Sequence, residues 1–123
     1  MGHVLGVGGV FFRAADPDAV IAWYKDNLDL DIGGGAVWMQ EAGPTVYAPF
    51  EADTDYFGDA GRQFMVNLRV RDLDGLVKKL TANGVPVRRD PAWDSPGVGR
   101  FARIHDPAGT PIELWEPPPG AAR

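Results

Sequence analysis

The chain contains no cysteine, one serine (Ser95) and two histidines (His3 and His105). Without cysteine there is no disulfide framework, no thiolate nucleophile and no Cys-ligated metal, an absence that fits a cytoplasmic protein. Ser95 lies in a loop with no obvious His/Asp partners, so a hydrolase triad has no support. Positive charge is the minority sign, with 12 Lys and Arg against 17 Asp and Glu and a net charge of −5. That field argues against nucleic acid and anionic membrane as general partners. No run of about 18 apolar residues is present to span a bilayer. Met1 leads into Gly-rich, strand-like sequence instead of a basic n-region and an apolar h-region, so no standard export signal is expected. There is no P-loop, and Gly6–Gly9 precede a strand instead of opening a helix, which removes the dinucleotide fingerprint.

What remains is the composition of one globular domain: 123 residues, 45% apolar and 24% charged. A chain of this length buries roughly two-thirds of its unfolded surface and needs no structural metal. Val4–Arg13, VLGVGGVFFR, reads as a glycine-rich strand. Asp16 and Pro17 form a helix start, with Asp as N-cap and Pro at the first helical position. Val20, Trp23, Tyr24 and Leu28 then share one helical face, predicting a helix over Pro17–Leu28. After Gly33–Gly35, AVWMQ and TVYAPF form the arms of a hairpin around Glu41–Pro44. Glu51–Gly61 is polar and turn-rich and reads as a linker.

The second half repeats the plan. Phe64–Val70 is a strand, Asp72 an N-cap, and Leu73–Asn83 a helix that Gly84 stops in a left-handed conformation. Val85–Arg89 is a strand and Asp90–Gly99 a Pro- and Gly-rich connection. A shift of 56 positions puts Val10 on Val66, Arg13 on Arg69, Asp16 on Asp72, Asp18 on Asp74 and Asn27 on Asn83. Two tandem βαβββ modules, about 4–50 and 62–116 with a linker at 51–61, account for this. The proline-rich end, 117–123, is expected to be an extended tail.

The last hairpin, Phe101–Glu116, organises the rest. Its arms flank Asp106-Pro107-Ala108-Gly109, where Pro fixes φ and Gly supplies the positive φ of a tight turn. Side chains alternate along the second arm, so Ile112 and Leu114 point one way, Glu113 and Trp115 the other. A carboxylate on a face shared with an indole must meet a partner, a pocket, a metal or solvent, because removing it from water alone is costly. Extended to every strand, the alternation predicts one apolar face under the helices: Val10, Phe12, Val37, Met39, Val46, Ala48, Val66, Leu68, Val70, Ala102, Ile104, Ile112 and Leu114. The opposite face carries Gly9, Phe11, Arg13, Trp38, Gln40, Tyr47, Met65, Asn67, Arg69, Phe101, Arg103, His105, Glu113 and Trp115. Aromatic rings mixed with a few polar groups are the usual lining of a small-molecule site.

GGVFFRAADPDAVIAWYKDNLDL, RVRDLDGLVKKLTANGVPV and HDPAGTPIELWEP, in this order and spacing, resemble the vicinal oxygen chelate superfamily of glyoxalase I, bleomycin-resistance proteins and extradiol dioxygenases. The resemblance covers almost the whole chain. It implies an α+β fold in which two βαβββ modules curl into a half-open barrel, commonly paired as a homodimer. Metal-dependent members place His, Glu or Gln on the first and last strands of each module around one divalent ion. The corresponding positions here are Gly9, Tyr47, Met65 and Glu113, of which only Glu113 is a usual ligand.

On that count no cofactor is expected, with a divalent metal left open. The first functional reading is a metal-independent small-molecule-binding protein, taking an aromatic or anionic ligand against Trp38, Tyr47 and Trp115. The alternative is a glyoxalase- or dioxygenase-like enzyme using Glu113 as metal ligand or general base, and the third a structural domain with a vestigial pocket. Each residue also has a plainer reading. Glu113 pairs with Arg103 or Arg69 across the sheet, His105 bonds the turn, and Trp38 and Trp115 are packing residues. Trp93 and Asp94–Gly99 have the length and glycine content of a lid.

Overall fold

The structure, a computed structural model, describes residues 1–120. The end of the expected tail, 121–123, lies outside the described residues, and 117–120 carry neither helix nor strand. The first helix, α1, spans Pro17–Leu28 as its caps predict. The Asp16 carboxylate accepts the Ala19 N–H at 3.2 Å, and Asp29 ends the helix at φ 52°. The second, α2, spans Leu73–Ala82, with Asp72 accepting the Gly75 N–H at 3.1 Å. It stops in a Schellman arrangement: Val85 N–H donates to the Leu80 carbonyl at 2.9 Å and Gly84 N–H, at φ 81°, to that of Thr81 at 3.0 Å. Among the described residues no helix is long and apolar enough to cross a membrane.

Three strands, β1 (Val66–Arg69), β2 (Arg100–His105) and β3 (Pro111–Glu116), form a sheet in the order β1-β3-β2. Central β3 runs parallel to β1 and antiparallel to β2. Its register builds two apolar rows, Val66-Ile112-Ile104 and Leu68-Leu114-Ala102. Ile104, Ile112, Leu114 and Ala102 are fully buried, together with Leu73 and Leu80 of α2. Burying each large side chain is worth about 1.5–3 kcal/mol. Helices cover one face of the sheet and leave the other free of helices, to be met by loops.

Polar contacts fix how the helices lie. Asn83 donates to Asn27 at 3.0 Å, so α1 and α2 meet at the residues that the 56-position shift equates. Tyr24 of α1 donates its phenol to the Asp106 carboxylate at 2.7 Å, while the other Asp106 oxygen accepts the Thr110 N–H at 2.9 Å. Burial raises the Tyr24 pKa, and the Asp106 bond raises it further, so the phenol stays a donor. The hairpin turn is closed by Gly109, at φ 82°, donating to the Asp106 carbonyl. At the other end of the hairpin Glu116 accepts the unpaired Leu73 N–H of α2 at 2.8 Å, and Arg100 joins Glu116 to Asp74.

The first half departs from expectation. Val4–Arg13 and the two arms at 36–40 and 45–50 carry no strand ladder, and Val85–Arg89 reduces to one bridge, Arg88 to Arg103. A ladder needs a neighbour for every outward N–H and C=O, and the described residues offer these segments none. Val10, Val37, Met39 and Val46, expected under the helices, are 54%, 82%, 86% and 72% exposed. Of that set in the first half only Phe12 packs against the core. The described residues are therefore an α+β arrangement of two helices on a three-stranded sheet, and within one chain they do not close a barrel.

Two contacts can be tested by stability. Tyr24→Phe leaves the buried Asp106 carboxylate short of a donor and should cost about 1.5–3 kcal/mol in urea unfolding; an unchanged midpoint would show that the bond contributes nothing. Arg100 and Arg89 hold the Asp74 carboxyl down to about 2 from 3.8. A lowered carboxyl pKa stabilises the native state above the unfolded value, and that contribution is lost as pH falls from about 4 toward about 2. Asp74 is exposed, so the effect is small; Asp74→Asn should flatten the acid limb of stability in that window without moving the neutral plateau greatly.

Candidate functional site

The open face of the sheet is set by the same alternation that builds the core. Glu113 on β3 has Asn67 of β1 on one side and Arg103 of β2 on the other, all three in register. Asn67 Nδ2 donates to Glu113 Oε1 at 2.7 Å, and the phenol of Tyr56 donates to Oε2. Burial and the Glu113 bond raise the Tyr56 pKa, while Arg103 pulls it the other way. Tyr56 belongs to the segment read as a linker. Phe50 stacks on its ring at 5.6 Å, with planes 15° apart.

Arg103 is 9% exposed, yet no carboxylate of the described residues lies within ion-pair distance of it. Its guanidinium instead faces the Tyr56 ring at 4.8 Å and the Trp93 ring at 5.9 Å, and its Nε has no hydrogen-bond partner. Arg88 lies over the same Trp93 ring at 5.4 Å. Cation–π contacts of this kind are worth about 0.5–2 kcal/mol, rising with desolvation. The expected Glu113 ion pairs with Arg103 or Arg69 are not formed: Glu113 is satisfied by two neutral donors, and Arg69 donates to the Glu41 carbonyl at 2.8 Å.

Trp115 sits elsewhere than an open pocket wall. It is 8% exposed, its indole N–H donates to the Val98 carbonyl at 2.8 Å, and its ring stacks on Phe101 at 6.4 Å. The connection after the short helical turn Pro91–Trp93 folds over it and is pinned there. Phe101 N–H donates to Asp94, and Ser95 and Gly99 exchange backbone bonds of 2.9 and 2.7 Å. Gly99, at φ 131°, would place a Cβ 2.3 Å from the Glu116 carbonyl oxygen and 2.7 Å from the indole nitrogen, so only glycine fits.

Other candidates are scattered. Met65 is half-buried beside the start of β1, and exposed His105 ends β2, its pKa lowered by desolvation and then by the Arg103 charge. Phe11, Trp38, Gln40 and Tyr47 lie in the ladderless first half, exposed to solvent, with no hydrogen bond or ring contact to the Glu113 group. Arg13 lines a separate open cleft of about 480 Å³ between α1 and Pro107-Ala108. Tyr56 and Trp93 are the site residues that periodicity does not find, since neither lies on a strand. The only trace of Tyr56 is a Tyr-Phe pair inside an otherwise polar, turn-rich stretch.

A divalent ion does not suit this donor set. Both Glu113 oxygens accept hydrogen bonds, Asn67 presents its amide N–H₂, and the remaining neighbour is a cation. Among the described residues no three of His, Cys, Asp and Glu come together.

Comparison with known proteins adds the family. The model for the "Glyoxalase/Bleomycin resistance protein/Dioxygenase superfamily" matches residues 1–114. Curated proteins give no match. Among solved structures, TnmS3, an antibiotic binding protein from Streptomyces sp. CB03234, is similar with a TM-score of 0.59 and 23% identity, over 95% of this chain and 99% of that one. A glyoxalase/bleomycin resistance protein from the same organism aligns at TM-score 0.49 and 24% identity, over 85% and 94% of the two chains. With the family model covering all but the last few residues, the chain belongs to the glyoxalase/bleomycin resistance protein/dioxygenase superfamily.

Proposed function

We propose that the chain is a metal-independent small-molecule-binding protein whose ligand occupies the open face of the sheet at Glu113. The observation that carries this is the state of Arg103: buried, facing two aromatic rings, with no anionic partner among the described residues and an unbonded Nε. Such a group costs about 1–3 kcal/mol or more if left unsatisfied, and a ligand oxygen or ring is a natural partner. The description of TnmS3 as an antibiotic binding protein supports binding as the activity of this fold in at least one neighbour. Enzyme chemistry through a metal at Glu113 is disfavoured by the neutral donors on both its oxygens.

The reading extends to the assembly. Val4, Leu5, Phe11 and Tyr47 are more than nine-tenths exposed, and Met39 and Val37 more than four-fifths. Apolar exposure on this scale marks an interface. A second copy is the fitting occupant: the exposed segments lack ladder partners, and the β1 side of the sheet is an open edge. In a homodimer the first half of each chain would complete a half-open barrel of two βαβββ modules around the Glu113 face. Phe11, Trp38, Gln40 and Tyr47 would then line the ligand site.

Three measurements follow. Protein dialysed after exposure to Mn, Fe, Ni, Co and Zn should retain far less than one metal per chain, and stoichiometric retention would overturn metal independence. A ligand screen by tryptophan fluorescence should find compounds whose affinity falls about tenfold or more in Arg103→Met; Glu113→Gln should change affinity modestly, whereas abolished turnover of a discovered substrate would favour the enzyme. Light scattering at micromolar concentration should give twice the 13.3 kDa chain mass, and Met39→Glu should shift it toward the monomer; a monomeric wild type would refute the assembly.

A further inference from the structure

The Glu113 site is occupied in this structure by part of the chain itself. Tyr56 places a flat ring beside the Arg103 guanidinium, at 4.8 Å, and its hydroxyl on the Glu113 carboxylate, whose second oxygen is held by Asn67. The segment that carries it has no ladder to the sheet. Its own backbone bonds are local, from Thr54 to Glu51 at 3.0 Å and from Gly58 to Asp55 at 2.9 Å. The Tyr56 side chain is therefore a principal tie between this loop and the sheet, and rotating it away breaks no strand pairing.

From this we infer that Tyr56 stands in for the ligand, and that the site takes a hydroxyaromatic compound whose phenolic O–H replaces that of Tyr56 on Glu113, with its ring against Arg103. This rests on the small-molecule reading above and narrows it. A carboxylate ligand approaching Arg103 would also approach Glu113, its in-register neighbour, and meet like charge. A neutral hydroxyl meets an acceptor, and a charge-assisted O–H bond is about twice as strong as a neutral one. The raised pKa of Tyr56 fits that role, since the Glu113 surroundings keep a phenol protonated and donating. Tyr56 also sets the affinity: a ligand binds only the fraction of molecules whose loop has left, so its apparent affinity is lowered by that fraction.

The test uses 2-naphthol, 2-methoxynaphthalene, which cannot donate, and naphthalene-2-carboxylate, titrated calorimetrically into wild type, Tyr56→Phe and Glu113→Gln. Tyr56→Phe removes the competing hydroxyl and should tighten 2-naphthol by about three- to tenfold. In that variant 2-methoxynaphthalene should bind about tenfold more weakly than 2-naphthol, and Glu113→Gln should erase most of that difference. The Tyr56 ring resonances, identified by their loss in Tyr56→Phe, should shift when wild type is saturated with 2-naphthol. Equal binding of naphthol and ether, tightest binding of the carboxylate, or an unmoved Tyr56 resonance overturns the inference while leaving the small-molecule reading intact. Failure of all three probes on Tyr56→Phe also overturns it, and the broader reading then stands or falls on the fluorescence screen and Arg103→Met.

Discussion

The structure depends on the position of one strand, β3. Among the described residues it is the only strand with neighbours on both sides, so every residue from Ile112 to Trp115 is held in register twice. Alternation along a doubly held strand cannot slip by one residue without exchanging the core for the open face. Ile112 and Leu114 are consequently locked under the helices, and Glu113 is locked between Asn67 and Arg103. Core and site are two faces of the same constraint. A substitution that loosened packing beneath β3 would also move Glu113 against its partners, so a loss of binding there would need a stability measurement beside it.

Elements whose causes are local in sequence were legible. Both helices start where Asp16 and Asp72 can accept an N–H three residues on, and α2 ends where Gly84 tolerates a positive φ. The hairpin turn followed from Pro107 and Gly109, and the buried stripe of Ala102, Ile104, Ile112 and Leu114 from period two. Less of the site could be read. Alternation placed Asn67, Arg103 and Glu113 on one face, but which donor reaches a carboxylate depends on loops that cross the sheet. Tyr56 arrives from a segment without periodicity. Alternation puts Trp115 on the Glu113 face, yet the Ser95–Gly99 turn covers it there, at a spacing only Gly99 allows.

The first half shows a different limit. Its segments have the β-prone composition and alternation of strands, and the family model spans them. Propensity states that a segment suits a pleated, half-buried surface, not where that surface is. The side chains that should be buried, Val37, Met39 and Val46 among them, are instead 72–86% exposed. Among the described residues, the one helix-covered sheet of three strands leaves them no apolar partner. The same argument explains why the second half alone is well packed: its strands find each other within about fifty residues, and α1 reaches the core through Tyr24 and Val20.

The electrostatics of the Glu113 face bear on ligand chemistry more closely than the fold does. A carboxylate recruited to a metal keeps its lone pairs for the ion and is oriented by groups behind it. At Glu113 an amide from the neighbouring strand and a phenol from a loop donate to the two oxygens, and the adjacent cation is held over aromatic rings instead of against the acid. That separation leaves Glu113 a hydrogen-bond acceptor and Arg103 a flat, positively charged surface. The backbones of Glu113 and Arg103 sit on adjacent strands in register, about 5 Å apart, so both side chains belong to one small patch of the same face. A molecule that is flat, electron-rich and donates a proton at its edge meets both at once, whereas an anion meets one and is repelled by the other.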